Sequence, residues 1–204
     1  MSWLLVLPLL IPLTTGILCL VVASRPAQRV LGLLGALSLL GAAFALLLQV
    51  NQQGIQAVQI GNWPAPFGIA FVADHLSALM VLVTGVVAVV VALYALAEGD
   101  GPREKLGYYA LSHFLLFGVN GAFLTGDLFN LYVWFEVLLL SSFVLMILGG
   151  SKTQLTGGVK YFAVSLLSSI LFLVAVGLLY GATGALNLAD LATRVGSVAP
   201  GLLT

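Results

Sequence analysis

Residues 128–148 read LFNLYVWFEVLLLSSFVLMIL, an apolar run of 21 residues whose one charged side chain is Glu136. A helix crosses the hydrocarbon core of a bilayer with about 20 predominantly apolar residues. A helix is expected rather than a strand, because backbone groups in lipid must be hydrogen-bonded within the segment and this run does not alternate. The run therefore predicts a transmembrane helix that carries a carboxyl group near the middle of the membrane.

The whole chain has the composition of an integral membrane protein. Of its 204 residues, 61% are hydrophobic and 7% charged, and seven basic residues balance seven acidic ones. A soluble domain is about 45–50% apolar and about 25% charged. This composition excludes a soluble enzyme, a nucleic-acid-binding protein with a basic surface and a disordered chain. The single cysteine, Cys19, excludes a disulfide framework and a cysteine-rich metal site.

Six runs have the length and the low charge of membrane spans. The fold class predicted is an all-α integral membrane protein that forms one membrane domain. The N-terminal run lacks a basic n-region and a small-residue cleavage site, so it is interpreted as a retained span. The predicted spans are residues 3–23, 30–50, 76–97, 107–125, 128–148 and 161–180.

The basic residues predict how these spans are oriented. Six of the seven lie in alternate loops, and only Arg194 follows the sixth span. The positive-inside rule places the basic loops in the cytoplasm and the N-terminus outside, in a multi-pass protein of the cell membrane. The six are Arg25, Arg29, Arg103, Lys105, Lys152 and Lys160.

Two connecting segments predict local structure outside the bilayer. Residues 51–74 separate the second and third spans, and residues 55–60 partly alternate between apolar and polar side chains before Gly61-Asn62-Trp63-Pro64. This pattern predicts a small external β-hairpin with its turn at Gly61-Asn62. Residues 184–192 predict a short interfacial helix after the sixth span.

Glu136 is the strongest candidate for chemistry. It is the ninth residue of its span, about 3 Å from the centre at the helical rise per residue. A charge at that depth costs about 2.5–3.5 kcal/mol on insertion scales, and such groups mark ion or proton paths. We therefore predict a proton carrier, and the alternative is a permanently neutral glutamic acid bonded to a neighbouring helix. The other acidic residues lie at span ends or in loops, where solvated carboxylates are ordinary: Asp74, Glu98, Asp100, Glu104, Asp127 and Asp190.

Three further residues are weaker candidates for a cytoplasmic half of the proton path. His113 and Asn120 are seven residues apart, so they lie on nearly the same helix face and could pass a proton or hold water. An interhelical hydrogen bond explains this pair equally well. Lys160 begins the sixth span and is either a site of proton uptake or a positive-inside lysine that extends to the interface.

Other patterns point to packing or to the absence of enzymatic chemistry. Spacings of four between small residues occur at Gly118 and Ala122, at Gly121 and Thr125, and at Ser165 and Ser169, and they favour close helix packing. The sequence has no G-x-S-x-G, Walker A or G-x-G-x-x-G motif. It therefore predicts no enzyme, no cofactor and no metal site.

Three stretches resemble the D-type subunit of the Mrp-type multisubunit Na⁺/H⁺ antiporters. The most specific is residues 118–137, GVNGAFLTGDLFNLYVWFEV. Two broader ones follow. One is DHLSAL at residues 74–79, and the other has two parts, KYF at residues 160–162 and LYGATGALN at residues 179–187. These broader patterns also resemble the antiporter-like membrane subunits of respiratory complex I and membrane-bound hydrogenases.

The resemblance implies a fold of 14 helices, of which this chain would supply the first six. It implies two inverted five-helix repeats and ion translocation without a prosthetic group. Glu136 matches the family's fifth-span glutamate, which pairs with a lysine on the seventh span. That lysine cannot be mapped, because the sequence ends at Thr204, where the seventh span should begin. The chain is therefore interpreted as a fragment, or as one whose remaining site comes from another chain.

These observations lead to three hypotheses about function. The first is a proton-translocating membrane subunit of an antiporter that exchanges H⁺ for Na⁺ or another monovalent cation, with other hydrophobic subunits as partners and no nucleic acid. The second is the antiporter-like proton-pumping subunit of complex I or a membrane-bound hydrogenase. The third is a structural or assembly subunit that transports nothing itself.

Overall fold

The computed structural model of the chain describes residues 3–62, 68–99 and 101–197 as helices joined by short connections and one pair of strands. Within these described ranges, five helices are long and apolar enough to cross a membrane, and Tyr108–Leu124 is a shorter apolar helix of 17 residues. The chain is thus a mostly helical multi-pass membrane protein. In order, the elements are α1 Trp3–Val21, α2 Arg25–Gln53, β1 Gln56–Gln59, β2 Ala70–Ala73, α3 His75–Glu98, α4 Gly101–Lys105, α5 Tyr108–Leu124, α6 Leu128–Ile147, α7 Lys152–Thr183 and α8 Leu188–Arg194, with 3₁₀ turns at Ile60–Asn62 and Val195–Ser197.

Two of the helices extend well beyond the predicted spans. Helix α2 has 29 residues and begins with a proline in its first turn, where the missing N–H costs nothing. Helix α7 has 32 residues and begins at a capping box, in which Ser151 and Gln154 bond each other's backbone N–H groups. The ends of these helices are set by local signals such as the proline and the capping box, so each helix begins before its apolar run and ends after it.

Polar residues at the ends of several helices are caps. The Asp74 carboxylate accepts a hydrogen bond from the Ser77 N–H at 2.7 Å, and the Asp127 carboxylate accepts from the Asn130 N–H at 2.9 Å. The Asn187 side chain caps α8, which begins at Leu188 rather than at the predicted residue 184. Gly184 instead ends α7 in the left-handed conformation, with φ of 67°.

An antiparallel pair of strands lies between α2 and α3. Gln56 pairs with Ala73 and Gln59 with Ala70, so residues 60–69 separate the strands. The predicted two-residue turn at Gly61-Asn62 is therefore wrong, although Gly61 does adopt a positive φ of 68° in a 3₁₀ turn. Trp63 and Pro64 of that prediction lie outside the described residues. The Gly126 N–H donates to the Ala70 carbonyl at 2.8 Å, which places the strands against the α5–α6 turn.

Small residues allow α5 and α6 to approach closely. A Cβ atom on Gly118 would lie 2.9 Å from the Leu138 nitrogen, and one on Gly121 would overlap the Trp134 ring. These contacts set the register of the two antiparallel helices. They confirm that the small-residue spacing in this helix serves packing.

Glu104 ties α4 to α2 and α5. Its carboxylate is 4% exposed and accepts hydrogen bonds from Arg29 Nε at 2.9 Å and from Nη2 at 3.0 Å. The Tyr109 hydroxyl donates to the same carboxylate at 3.0 Å. The Arg29 guanidinium holds the pKa of Glu104 below its usual range. Glu104 and Asp127 are thus buried rather than solvated as predicted, because each has partners inside the fold. Asp100 lies outside the described residues.

Candidate functional site

Glu136 lies half-buried in α6, on the side of that helix that faces α7. The Ser169 hydroxyl of α7 donates a hydrogen bond to Oε1 of Glu136. The carboxyl group therefore has a polar partner on a neighbouring helix. A hydrogen bond of this kind offsets part of the cost of placing the carboxyl group among apolar side chains.

A groove of about 340 Å³ runs between α6 and α7 and contains Glu136. At one end the Tyr161 and Ser142 hydroxyls lie 3.0 Å apart. At the other end the ring of Phe172 stacks on Tyr132, with centroids 6.5 Å apart, and meets Phe135 edge-on at 5.7 Å. The groove is lined by Tyr132, Phe135, Glu136, Leu138, Leu139, Tyr161, Val164, Ser165, Ser168, Ser169 and Phe172.

His113 is buried between α5 and the first two helices. Its Nδ1 lies 2.9 Å from the Tyr109 carbonyl oxygen, and since a carbonyl only accepts, Nδ1 carries the hydrogen of the neutral ring. Nε2 then presents a lone pair, and it has no hydrogen-bond partner within the described part of the chain. A Cβ atom on Gly35 would lie 2.8 Å from this Nε2 and 2.6 Å from Thr15 Oγ1, so a glycine is needed there for α2 to approach.

Asn120 bonds to α1 at a point where a proline has removed a donor. Its Nδ2 donates to the Pro8 carbonyl oxygen at 3.2 Å. In a regular helix that carbonyl would accept from the residue four positions later, which here is Pro12 and has no N–H. Of the two alternatives predicted for Asn120, the structure thus contains the interhelical hydrogen bond.

The four candidate residues do not form one cluster. Gly118 faces Leu138 and Gly121 faces Trp134, so Asn120 and Glu136 lie at similar depth, but Asn120 points to α1 and Glu136 to α7. Lys160 is exposed, on an α7 face shared with Lys152 and Thr156. It precedes Ser169 by nine residues, about 13 Å along the helix. His113 and Asn120 therefore lie on one side of the α5–α6 pair, and Glu136 lies on the other.

The sequence did not identify the hydroxyl groups around Glu136 as site residues. The spacing of Ser165 and Ser169 predicts only a packing pair, and no sequence motif assigns a role to Ser142 or Tyr161. A usable signal was present, because Tyr161, Ser165 and Ser169 recur every four residues and so share one helix face. No group of three or more His, Cys, Asp or Glu side chains that could hold a metal ion occurs among the described residues.

Comparisons with known proteins give consistent matches. Residues 125–202 match the family described as NADH:quinone oxidoreductase/Mrp antiporter, TM. The chain is 44% identical to the D-type subunit of the Na⁺/H⁺ antiporter of Alkalihalophilus pseudofirmus, over 97% of this chain and 40% of that protein. It is 40% identical to the D-type subunit of the probable K⁺/H⁺ antiporter of Rhizobium meliloti, over 97% of this chain and 38% of that protein.

Solved structures of larger assemblies share the fold. A chain of the membrane-bound sulfane sulfur reductase, an archaeal respiratory membrane complex, superimposes with a TM-score of 0.85 at 30% identity, over 99% of this chain and 41% of that one. A chain of the Mrp complex from Dietzia sp. DQ12-45-1b gives a TM-score of 0.83 at 32% identity, over 96% of this chain and 40% of that one. The chain spans about two-fifths of the length of the proteins it matches. These matches confirm the resemblance predicted from the sequence.

Proposed function

We propose that this chain, which is related to the D-type subunit of the Mrp-type Na⁺/H⁺ antiporters, belongs to a proton-translocating subunit of a multisubunit monovalent cation/H⁺ antiporter. Glu136 carries the proton near the middle of the membrane. The observation that supports this role is the position of Glu136 in a groove between two helices, with a hydroxyl group as its partner. The groove gives a proton access to the carboxyl group, which a permanently neutral glutamic acid bonded to the neighbouring helix would not need.

The remainder of the transport machinery lies outside this chain in the proposal. A carboxylate in the membrane needs a nearby positive charge when it releases its proton. No lysine or arginine contacts Glu136 within the described residues. We propose that a further part of the subunit, or another chain of the complex, brings a lysine to Glu136. The exchanged cation is Na⁺, K⁺ or another monovalent ion, and the other partners are hydrophobic membrane subunits and lipid.

Lys160, His113 and Asn120 have secondary roles in the proposal. Lys160 lies near the predicted cytoplasmic end of α7 and either takes up protons for the groove or extends to the interface as a positive-inside lysine. His113 has a free lone pair at Nε2 and can accept a proton from the same side of the membrane. Asn120 lies at the depth of Glu136 but bonds to α1, so its contribution is to hold α5 against that helix.

The proposed orientation places the basic loops in the cytoplasm. The ion pair between Arg29 and Glu104 joins the start of α2 to the connection between α3 and α5 at one end of the bundle, and the positive-inside rule assigns that end to the cytoplasm. Two of the three basic loops are therefore on the same side. The N-terminus and the β1–β2 pair lie outside.

Transport by a Glu136→Gln variant tests the proposed role. In everted membrane vesicles that hold the assembled complex, we expect the variant to lose cation-driven proton movement while its subunits still assemble. The matched control is Glu98→Gln, which neutralises an exposed carboxylate at the end of α3 and should transport normally. Antiport at the wild-type rate by Glu136→Gln would overturn the proton-carrier role and favour a structural subunit.

A redox-driven proton pump is the second candidate, supported by the match to a respiratory membrane complex. Glu136 would serve the same purpose there, and electron transfer in other subunits would supply the energy. Purification of the native complex distinguishes the two. Flavin or iron–sulfur subunits that copurify stoichiometrically would indicate the pump, and small hydrophobic subunits alone would indicate the antiporter.

A further inference from the structure

A row of hydroxyl groups follows the α6–α7 groove from one end to Glu136. On α7, Tyr161, Ser165 and Ser169 face the groove, and on α6 Ser142 faces Tyr161. We call the three α7 residues the hydroxyl row, and Ser142 orients Tyr161 at its outer end. Ser169 donates to Glu136 at its inner end. From Tyr161 to Ser169 the helix rises over eight residues, which is about 12 Å.

Hydroxyl groups can support a water chain because each can donate one hydrogen bond and accept two. Side chains four residues apart on a helix have Cβ atoms about 5–6 Å apart, a gap that one bridging water spans. The groove of about 340 Å³ has room for several water molecules beside these groups. Apolar side chains in the same positions could hold no such chain.

The hydrogen bonds at the outer end determine which hydroxyl donates and which accepts there. Ser142 Oγ donates to the Leu139 carbonyl oxygen at 3.0 Å, so its one hydrogen is engaged. Tyr161 is therefore the donor in the 3.0 Å contact between the two hydroxyls. The Tyr161 oxygen is left with its lone pairs available to accept a hydrogen bond from water.

The inner end is closed by aromatic rings. Tyr132 and Phe135 lie within about one turn before Glu136 on α6, and Phe172 lies one turn after Ser169 on α7. Phe172 contacts both of the other rings. The groove therefore ends at an apolar wall beyond Glu136.

We propose that the hydroxyl row is a water-filled proton path that connects Glu136 to the end of the α6–α7 pair next to Lys160. The inference rests on the proposed function of Glu136 as the proton carrier. A proton that binds at the Tyr161 end displaces one along the chain of water and hydroxyl groups. The bridging waters and the Ser165 and Ser169 hydroxyls each accept one proton and release another, and the Glu136 carboxylate takes the last. Tyr161, whose own hydrogen is bonded to Ser142, holds the first water. No electrons move, and the reverse sequence returns the proton.

Ser168 provides a matched control on the same helix. It borders the groove, but it is exposed and its hydroxyl donates to the Val164 carbonyl oxygen at 3.0 Å within its own helix. That hydrogen is unavailable to a water chain. Ser168 is therefore outside the hydroxyl row, although it lies next to Ser169 in sequence.

Thiol labelling tests whether the groove contains water. With Cys19 replaced by alanine, single cysteines are placed at Ser165 and at Leu171, which is 61% exposed on another face of α7. A thiol must ionise in water to react with a charged methanethiosulfonate reagent. In vesicles holding the assembled complex, we expect Ser165→Cys to react at least tenfold faster than Leu171→Cys. Equally slow labelling would overturn the water-filled path. The proton-carrier role of Glu136 would still be decided by the Glu136→Gln experiment.

Transport by serine variants tests whether the hydroxyls matter. We expect Ser165→Ala to slow antiport at least fivefold, Ser165→Thr to restore most of the rate, and Ser168→Ala to stay within twofold of the wild type. A rate for Ser165→Ala equal to that of Ser168→Ala would overturn the path. If Glu136→Gln were fully active as well, the proposed function itself would fail, so the two failures are distinguishable.

Discussion

Individual polar residues inside this apolar protein have specific partners, and Asn120 is the clearest example. Its side chain is fully buried in α5 and donates to the one α1 carbonyl whose helical donor is replaced by Pro12. Asn120 and the Pro8 carbonyl that it bonds are 112 positions apart, and Pro12 leaves that carbonyl without its helical donor. The sequence showed both residues but not that they meet.

Removing this amide should destabilise the protein. In Asn120→Leu the buried Pro8 carbonyl has no donor, which costs about 1–3 kcal/mol. We expect a lower thermal unfolding temperature for the purified complex. Asn51→Leu, at an exposed position in the last turn of α2, is the control. Normal stability with lost antiport would instead give Asn120 a direct part in proton transfer.

Glu104 makes a second specific contact, and its contribution to stability should depend on pH. Its pKa is held low by Arg29 in the folded protein, so the stabilisation is present above the unfolded pKa of about 4.3 and is lost as the pH falls through the folded pKa. We expect Glu104→Gln to lose about 1–2 kcal/mol at pH 7, since the half-exposed Arg29 can be solvated again.

Unfolding by denaturant at pH 7 and at pH 4 measures this dependence. The difference between wild type and Glu104→Gln should shrink at the lower pH. Glu98→Gln, which removes an exposed carboxylate, should show little difference at either pH. A difference for Glu104→Gln that is unchanged or larger at pH 4 would contradict the ion-pair explanation.

At the scale of elements, the sequence predicted which segments are helical but not which faces meet. The membrane helices are apolar around most of their circumference, so periodicity alone does not identify an inner face. Faces are set instead by small residues and by polar contacts. Gly118 and Gly121 bring α5 against α6, and the bond from Ser169 to Glu136 fixes the side of α6 that faces α7.

The close approach of α5 and α6 can be tested at Gly121. A methyl group there would overlap the Trp134 ring, so Gly121→Ala should destabilise by about 1–3 kcal/mol through overpacking. Gly177→Ala is the matched control, because nothing lies within 4 Å of the added Cβ atom and alanine favours a helix by up to about 1 kcal/mol. Thermal unfolding of both variants would measure the difference. A Gly121→Ala protein as stable as Gly177→Ala would contradict the packing of these helices.

At the scale of the whole molecule, the sequence was enough to predict the class of protein and the family that it resembles, but not the arrangement of its site. Composition and span length are averages over many residues, so a membrane protein was predictable. The separation of His113 and Asn120 from Glu136 depends on three helices packing in register, which no single segment encodes. The start of α7 was not predicted either, because its capping box lies well before the apolar run that predicted the span.

The orientation of the molecule gives a prediction at this scale. With Cys19 replaced by alanine, a cysteine at Ser151, between α6 and α7, should react with an impermeant thiol reagent only from the cytoplasmic side. A cysteine at Gln53, at the end of α2, should react only from outside. Both positions are exposed. Labelling of both from one side, or the reversed pattern, would contradict the orientation predicted from the basic loops.

The proposed function depends above all on Glu136 gaining and losing a proton during transport. Infrared difference spectra of the reconstituted complex, recorded as the cation gradient is reversed, measure this directly through the carbonyl band of a protonated carboxyl group. We expect a band that appears and disappears with the gradient, persists in Glu98→Gln and is absent in Glu136→Gln. The same band in Glu136→Gln, or no band in the wild type during active antiport, would contradict the proton-carrier role.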